Sequence, residues 1–246
     1  MVTHRGIEVN PNQIKAINDL KSPRKAKEVQ KLTEMIAALN RFISRSADRC
    51  RPFYLLINKW KRFEWSEECT AAFQQLKEYL SRPPIMSSPA ADEVLYAYIA
   101  VAPHAVSLVL IREDNGLQRP VYYVSKSLHE AEIKYSPLEK AILAIVHASR
   151  KLPHYFQAHT VVVLTQLPLK SVLWIADYTR RIALWNTILF RHQVYVANLH
   201  KGPSPGRPSG RIRRTTNRDT IRTTRQGGKT CRHGLRVETP VLESVR

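Results

Sequence analysis

The stretch VLYAYIAVAPHAVSLVLIREDNGLQRPVYYVS, residues 94–125, decides the fold. Val94–Val101 and Ala105–Arg112 are rich in β-branched and aromatic residues, which fit a pleated, half-buried surface better than a helix. Asn115-Gly116 is a hairpin turn signal, because a tight two-residue turn needs positive φ at both central positions. Pro120–Ser125 then makes a third strand. Downstream, Ser136-Pro137-Leu138-Glu139 combines a capping box with proline at the first helical position. The helix it starts carries Leu138, Ala141, Ile142, Ile145, Val146 and Ser149. Thr160–Thr165 is a compact β-branched run, read as a buried fourth strand. Three antiparallel-type strands, a helix and another strand amount to a mixed α/β sheet domain. Ile182–Val196 reads either as a helix and a strand or as two strands.

Upstream the period is helical. Residues 2–9 read as a small hairpin around His4-Arg5-Gly6, and Asn10-Pro11 is an N-cap followed by proline. Ile14, Ile17 and Leu20 form one face. Val29, Leu32, Ile36, Leu39 and Ile43 alternate steps of three and four along a second helix. Ser66 caps a third, with Glu67 and Glu68 at its positive end and Cys69, Ala72, Phe73, Leu76 and Leu80 as its face. Ser81-Arg82-Pro83-Pro84 stops it.

Lys and Arg outnumber Asp and Glu 39 to 20, a net charge of +19 that points to a polyanionic partner such as nucleic acid. The excess is uneven. Residues 201–246 hold 12 basic and 3 acidic residues, leaving 39−12=27 against 20−3=17 for residues 1–200. Only 8 of those 46 residues are Ile, Leu, Val or Cys, too few to offset the entropy of ordering, so this segment is expected to be disordered. It is either a nucleic-acid-binding arm or out-of-register sequence after a frameshift, and the abrupt change in composition favours the frameshift. Three widely spaced cysteines exclude a disulfide scaffold and a Cys-x-x-Cys knuckle. No stretch approaches the roughly 20 apolar residues of a membrane span, and MVTHRGIEVNPNQ lacks the apolar region of a secretory signal. A cytoplasmic or nuclear location is expected.

GIEVNPNQIKAI, AALNRFISRSADRCRPF, FEWSEECTAAFQQLKEYLSRPPI, RPVYYVSKSL, EIKYSPLEKAILAIVHASRKLPHYF and VVVLTQLPLKSVL follow one another along the chain. In order and spacing they resemble the pol polyprotein of plant gypsy-type LTR retrotransposons, from the end of the reverse transcriptase through its ribonuclease H domain. The likeness covers roughly residues 1–196. It implies a helical thumb/connector at 1–84, a ribonuclease-H-like domain at 85–200 and a basic tail at 201–246. Met1 is then expected to be an internal methionine of a longer polyprotein. The family activity is hydrolysis of the RNA strand of an RNA–DNA hybrid by two Mg²⁺ ions held between carboxylates, hard oxygen ligands suited to that ion.

Position by position this chain departs from the family. Ile99-Ala100-Val101-Ala102 stands in place of Thr-Asp-Ala-Ser, so the first aspartate is Ala100. Glu139 fills the second position. Thr165-Gln166 replaces Thr-Asp, so the third is an amide, and Asn198–Gly210 offers no fourth acid. The Tyr-x-Asp-Asp of a polymerase palm is absent. Glu139 is also the partner that the Ser136 capping box requires, and that structural role is the favoured one. Productive Mg²⁺ binding and hybrid cleavage are therefore not expected, which leaves a nucleic-acid-binding remnant or an inert relic of the polyprotein. Lys126, Lys134, Arg150 and Lys151, beside Tyr122, Tyr123, Tyr135, Tyr155 and Phe156, are the candidate contacts to an RNA–DNA hybrid or other nucleic acid. Other pol domains are possible partners. Alternation in VYYV is expected to put one tyrosine of the pair in the core. His104, His147, His154 and His159 lack zinc-helix spacing and are expected on the surface.

Overall fold

The computed structural model describes residues 1–4, 6–58, 63–169, 180–192 and 194–198. The tail at 201–246 lies outside them. A two-strand hairpin, β1 (Val2–Thr3) and β2 (Gly6–Ile7), opens the chain. Helices α1 (Pro11–Asn18), α2 (Ala26–Ala38), α3 (Ser46–Arg49), α4 (Arg51–Asn58) and α5 (Glu67–Ser81) follow. Each expected cap is made. Asn10 Oδ1 accepts from Asn12 N at 3.0 Å, and Ser66 Oγ from Cys69 N at 3.3 Å. The second helix stops at Ala38, short of the expected Ile43, and tightens into a 3-10 turn at Asn40–Phe42. Within the turn, Asn40 Oδ1 accepts from Ser46 Oγ at 2.5 Å and ties it to the start of α3. Leu39 and Ile43 remain buried all the same.

The sheet is built from β3 (Leu95–Val101), β4 (Ala105–Asp114), β5 (Leu117–Ser127), β6 (Val161–Thr165) and β7 (Val194–Asn198), in the order β5-β4-β3-β6-β7. The first three form an antiparallel meander; β6 runs parallel to β3, and β7 parallel to β6. The meander strands run longer than the expected 105–112 and 120–125. Asn115 (φ 51°) and Gly116 (φ 82°) close the turn in two residues, so pairing begins at Asp114 and Leu117. Between β5 and β6 come α6 (Glu130–Ile133), α7 (Pro137–Lys151) and α8 (Pro153–Ala158). Ile182–Val196 resolves as a helix and a strand, α9 (Arg180–Phe190) before β7.

Helix α7 covers one sheet face. Ala141, Ile142, Ile145, Val146 and Ala148 pack with Leu95, Ala97, Leu108, Leu110, Val161 and Val163. The helical unit, whose own core includes Val29, Leu32, Ile36, Phe53, Phe73 and Leu76, covers the meander from the other side. A bulge decides what β5 offers to each. Leu110 pairs with Tyr122 but Ile111 with Pro120, leaving Val121 as the extra residue. Val121 and Tyr122 both reach the α7-side core, whereas Tyr123 packs into the helical unit. VYYV therefore does not divide into one core and one exposed tyrosine: the two alternate between faces, and both faces are covered.

The seam is polar at one point. Ala47 N, on α3, donates to Ser125 Oγ at 3.0 Å, and Ser125 Oγ lies 2.8 Å from Ser107 Oγ across β4–β5. Near the N-terminus, Ile7 and Met86 exchange backbone bonds of 2.7 and 2.9 Å. Gly6 (φ 136°) is required there, since a Cβ would stand 2.4 Å from Met86 O. Ser125 is buried, so removing its hydroxyl strands the Ala47 N–H without solvent. Ser125→Ala is expected to cost about 1–3 kcal/mol in urea unfolding, against less than about 0.5 for exposed Ser127→Ala. Equal stabilities for the two variants would mean that the seam bond contributes nothing.

Candidate functional site

Ala100, Glu139 and Gln166, the residues expected at the family's carboxylate positions, lie near the end of β3, at the start of α7 and just past the end of β6. Tyr98 pairs with Leu164 in the parallel register, and Ala100 and Gln166 each follow two residues later, the first within β3 and the second just past the end of β6. Thr165 Oγ1 accepts from Leu167 N at 3.1 Å and turns the chain there, leaving Gln166 exposed. The start of α7 abuts the same end: buried Lys140 donates to Pro103 O at 3.1 Å, in the loop after β3. Glu139 precedes it in sequence.

Glu139 is occupied. Its Oε2 accepts from Ser136 N at 3.0 Å and from Ser136 Oγ at 3.1 Å, while Ser136 Oγ accepts from Glu139 N at 3.2 Å, so the box is complete. Its Oε1 accepts from Arg181 Nη1 of α9 at 3.1 Å. The donor set does not fit Mg²⁺. An alanine, an exposed amide and one carboxylate already shared between a serine and an arginine cannot supply the oxygen charge that a divalent ion needs to shed water. Among the described residues no group of three His, Cys, Asp or Glu is placed to hold a metal ion. The position expected for a fourth acid, from residue 199 on, lies outside the described residues. Arg181 was not among the candidate residues. Nothing in local sequence marks it, because its partner is 42 positions away.

The basic candidates divide. Arg150 and Lys151 end α7, both exposed, and Lys126 lies on β5. These three share the electrostatic surroundings of His147. Lys126 is paired with Glu132 and is therefore partly neutralised. Burial opposes ionisation of Glu132, but the Lys126 ammonium and the His129 N–H outweigh it and hold the carboxyl below its usual range. Lys151 is exposed as a residue, yet partial desolvation beside the body of the protein lowers its affinity for its proton. Lys134 is exposed at the end of α6. The aromatics serve packing. Tyr122 meets Tyr155 at 6.3 Å, Tyr135 meets Trp185 at 6.0 Å, and Phe156 is buried.

His147 is half-buried, which corrects the expectation of a surface residue; the i, i+4 spacing to Lys151 places both on one side of α7. Burial first, then the charges of Lys151 and Lys126, hold its imidazole below the ordinary 6.5, with Glu132 opposing and Arg150 adding to the depression. The unfolded chain therefore binds more protons just below that value, so stability is complete above it and declines as pH falls through it. His147→Asn is expected to flatten the fall in Tm between about pH 7.5 and about pH 5.5. A fall as steep as that of the unaltered chain would assign the acid sensitivity to other groups.

Comparison with known proteins bears on this geometry. Residues 65–163 match the family model described as the RNase H-like domain found in reverse transcriptase. The retrovirus-related Pol polyprotein from transposon 297 of Drosophila melanogaster is 27% identical over 195 residues, covering 78% of this chain and 18% of that protein. The transposon Tf2-3 polyprotein of Schizosaccharomyces pombe is 24% identical over 158 residues, covering 64% of this chain and 12% of that protein. The chain thus spans less than a fifth of the length of these curated relatives. Among solved structures, the foamy viral protease–reverse transcriptase in complex with double-stranded DNA has a TM-score of 0.68 at 18% identity, over 82% of this chain and 44% of that one. The same enzyme in complex with RNA/DNA hybrid has a TM-score of 0.68 at 17% identity, over 92% and 31%. At that identity the likeness is one of fold. Residues 65–163 are thus similar to the RNase H-like domain of reverse transcriptases, within a longer segment similar to the Pol polyproteins of retrotransposons.

Proposed function

We propose that this chain is a degenerate copy of the reverse transcriptase–RNase H segment of a plant gypsy-type element, one that binds nucleic acid and does not cleave it. RNase H-like enzymes generally use Mg²⁺, and the observation that carries this reading is the loss of carboxylates at the aligned positions. Ala100 and Gln166 bring no negative charge, and Glu139 is held by Ser136 and Arg181. The division into a thumb/connector at 1–84, an RNase H-like domain at 85–200 and a basic, disordered tail at 201–246 belongs to the same proposal, as does an intracellular location. Two separate clusters of buried residues support the first boundary, although the family match begins earlier, at Trp65.

The binding surface in this reading is the end of α7 together with β5. Arg150 and Lys151 supply most of its phosphate contact, Lys126 less because of Glu132, and Lys134 extends it. The likeness to reverse transcriptases solved with double-stranded DNA and RNA/DNA hybrid supports nucleic acid as the partner class.

Incubation of the purified chain with a labelled RNA–DNA hybrid and Mg²⁺ is expected to give no cleavage. Cleavage abolished by Glu139→Gln would overturn the proposal. Charge removal at Arg150 and Lys151 together is expected to lower the slope of log affinity against log salt by about 2, since roughly one counterion is released per phosphate contact. Lys126→Gln should change it by less. A slope insensitive to Arg150 and Lys151 would move the contact surface elsewhere in the chain.

A further inference from the structure

We propose that Arg181 is a resident cation that has taken over the charge-balancing role of a metal at Glu139. It latches α9 onto the start of α7 and keeps this end of the sheet closed to divalent ions. The proposal rests on the reading of Ala100, Glu139 and Gln166 as a former carboxylate site.

Three observations carry it. First, both oxygens of Glu139 are used, Oε2 by the capping box and Oε1 by the Arg181 guanidinium at 3.1 Å. Second, Arg181 is held on its other side by Tyr135, whose ring centre lies 4.1 Å from its Cζ. Trp185, four residues further along α9, meets the same tyrosine at 6.0 Å, so one helix face makes both contacts. Third, the charge sum is inverted. Arg181 pairs with the carboxylate, while the ammonium of buried Lys140, the next residue of α7, donates to Pro103 O. An arginine cannot lose its proton at any ordinary pH, so the counter-charge is permanent.

An exposed ion pair alone contributes little. Here Arg181 is 44% exposed but Glu139 only 17%, and the capping box and the Tyr135 ring limit the motion of both partners. A divalent ion would have to displace the guanidinium from Oε1. Restoring acids at 100 and 166 does not remove that obstacle.

Mn²⁺ serves as the probe, with free ion read by electron paramagnetic resonance. The unaltered chain, Arg181→Gln, Ala100→Asp/Gln166→Asp and the triple variant are compared. Only the triple variant is expected to bind saturably, at least about tenfold tighter than the double variant, the usual scale for a neighbouring group that controls a ligand. Equal affinity in double and triple variants would overturn the role of Arg181 while leaving the carboxylate reading intact. No binding in either would overturn that reading and this inference with it. A metal-free arm tests the latch. Glu139→Gln keeps the capping box, because glutamine serves there too. Glu139→Gln and Arg181→Gln are each expected to lower Tm by about 1–3 °C, and the pair together by no more than the larger single shift. Additive shifts would overturn the latch.

Discussion

Parallel pairing between Leu95–Val101 and Val161–Thr165 cannot be closed by a tight turn; it needs a crossover of a dozen or more residues. Pro137–Lys151 supplies that crossover, and its fifteen residues settle most of what surrounds it. The helix must start where β5 releases the chain, and the Ser136–Glu139 box sets that start. It must also bury its apolar stripe against Leu95, Ala97, Val161 and Val163. A parallel strand of this kind is covered on both faces, and all five residues of β6 are buried. Displacing the crossover would expose the centre of the sheet rather than one edge.

The opposite face of the meander imposes a second condition. Ser107 and Tyr123 point away from α7, and the helical unit meets them. The bulge at Val121 lets one strand serve two cores, turning Tyr122 inward to α7 and Tyr123 outward to the helices. Arg41 closes the edge, its guanidinium 5.1 Å from the Tyr122 ring centre. The helical unit is thus part of the packing of the sheet.

Chemistry at the sheet end follows from charge balance. A cluster of carboxylates is tolerable only beside cations, whether ions or side chains, because like charges in a partly dry environment repel strongly. The carboxylate of Glu139 is balanced from within the chain, by Arg181. The same accounting separates Lys126, paired with Glu132, from Arg150 and Lys151, whose charge faces solvent.

Local signals were legible in the sequence: the Asn10, Ser66 and Ser136 caps, the Asn115-Gly116 turn, the strand runs and the chemical identities at 100, 139 and 166. Each depends on neighbours within a few positions. The bulge was not legible, since either tyrosine of VYYV satisfies alternation and only the facing strand selects the register. Nor was the end of α2, which tightens into a 3-10 turn although Leu39 and Ile43 continue the apolar spacing. The partners of Glu139 show both cases in one side chain. Ser136 lies three residues away and could be read from the chain, whereas Arg181 lies 42 residues away. By itself the sequence determined which chemical groups stand at the sheet end. Tertiary structure alone decided that an arginine meets the last carboxylate there, because contacts between distant residues exist only after the sheet and its crossover have formed.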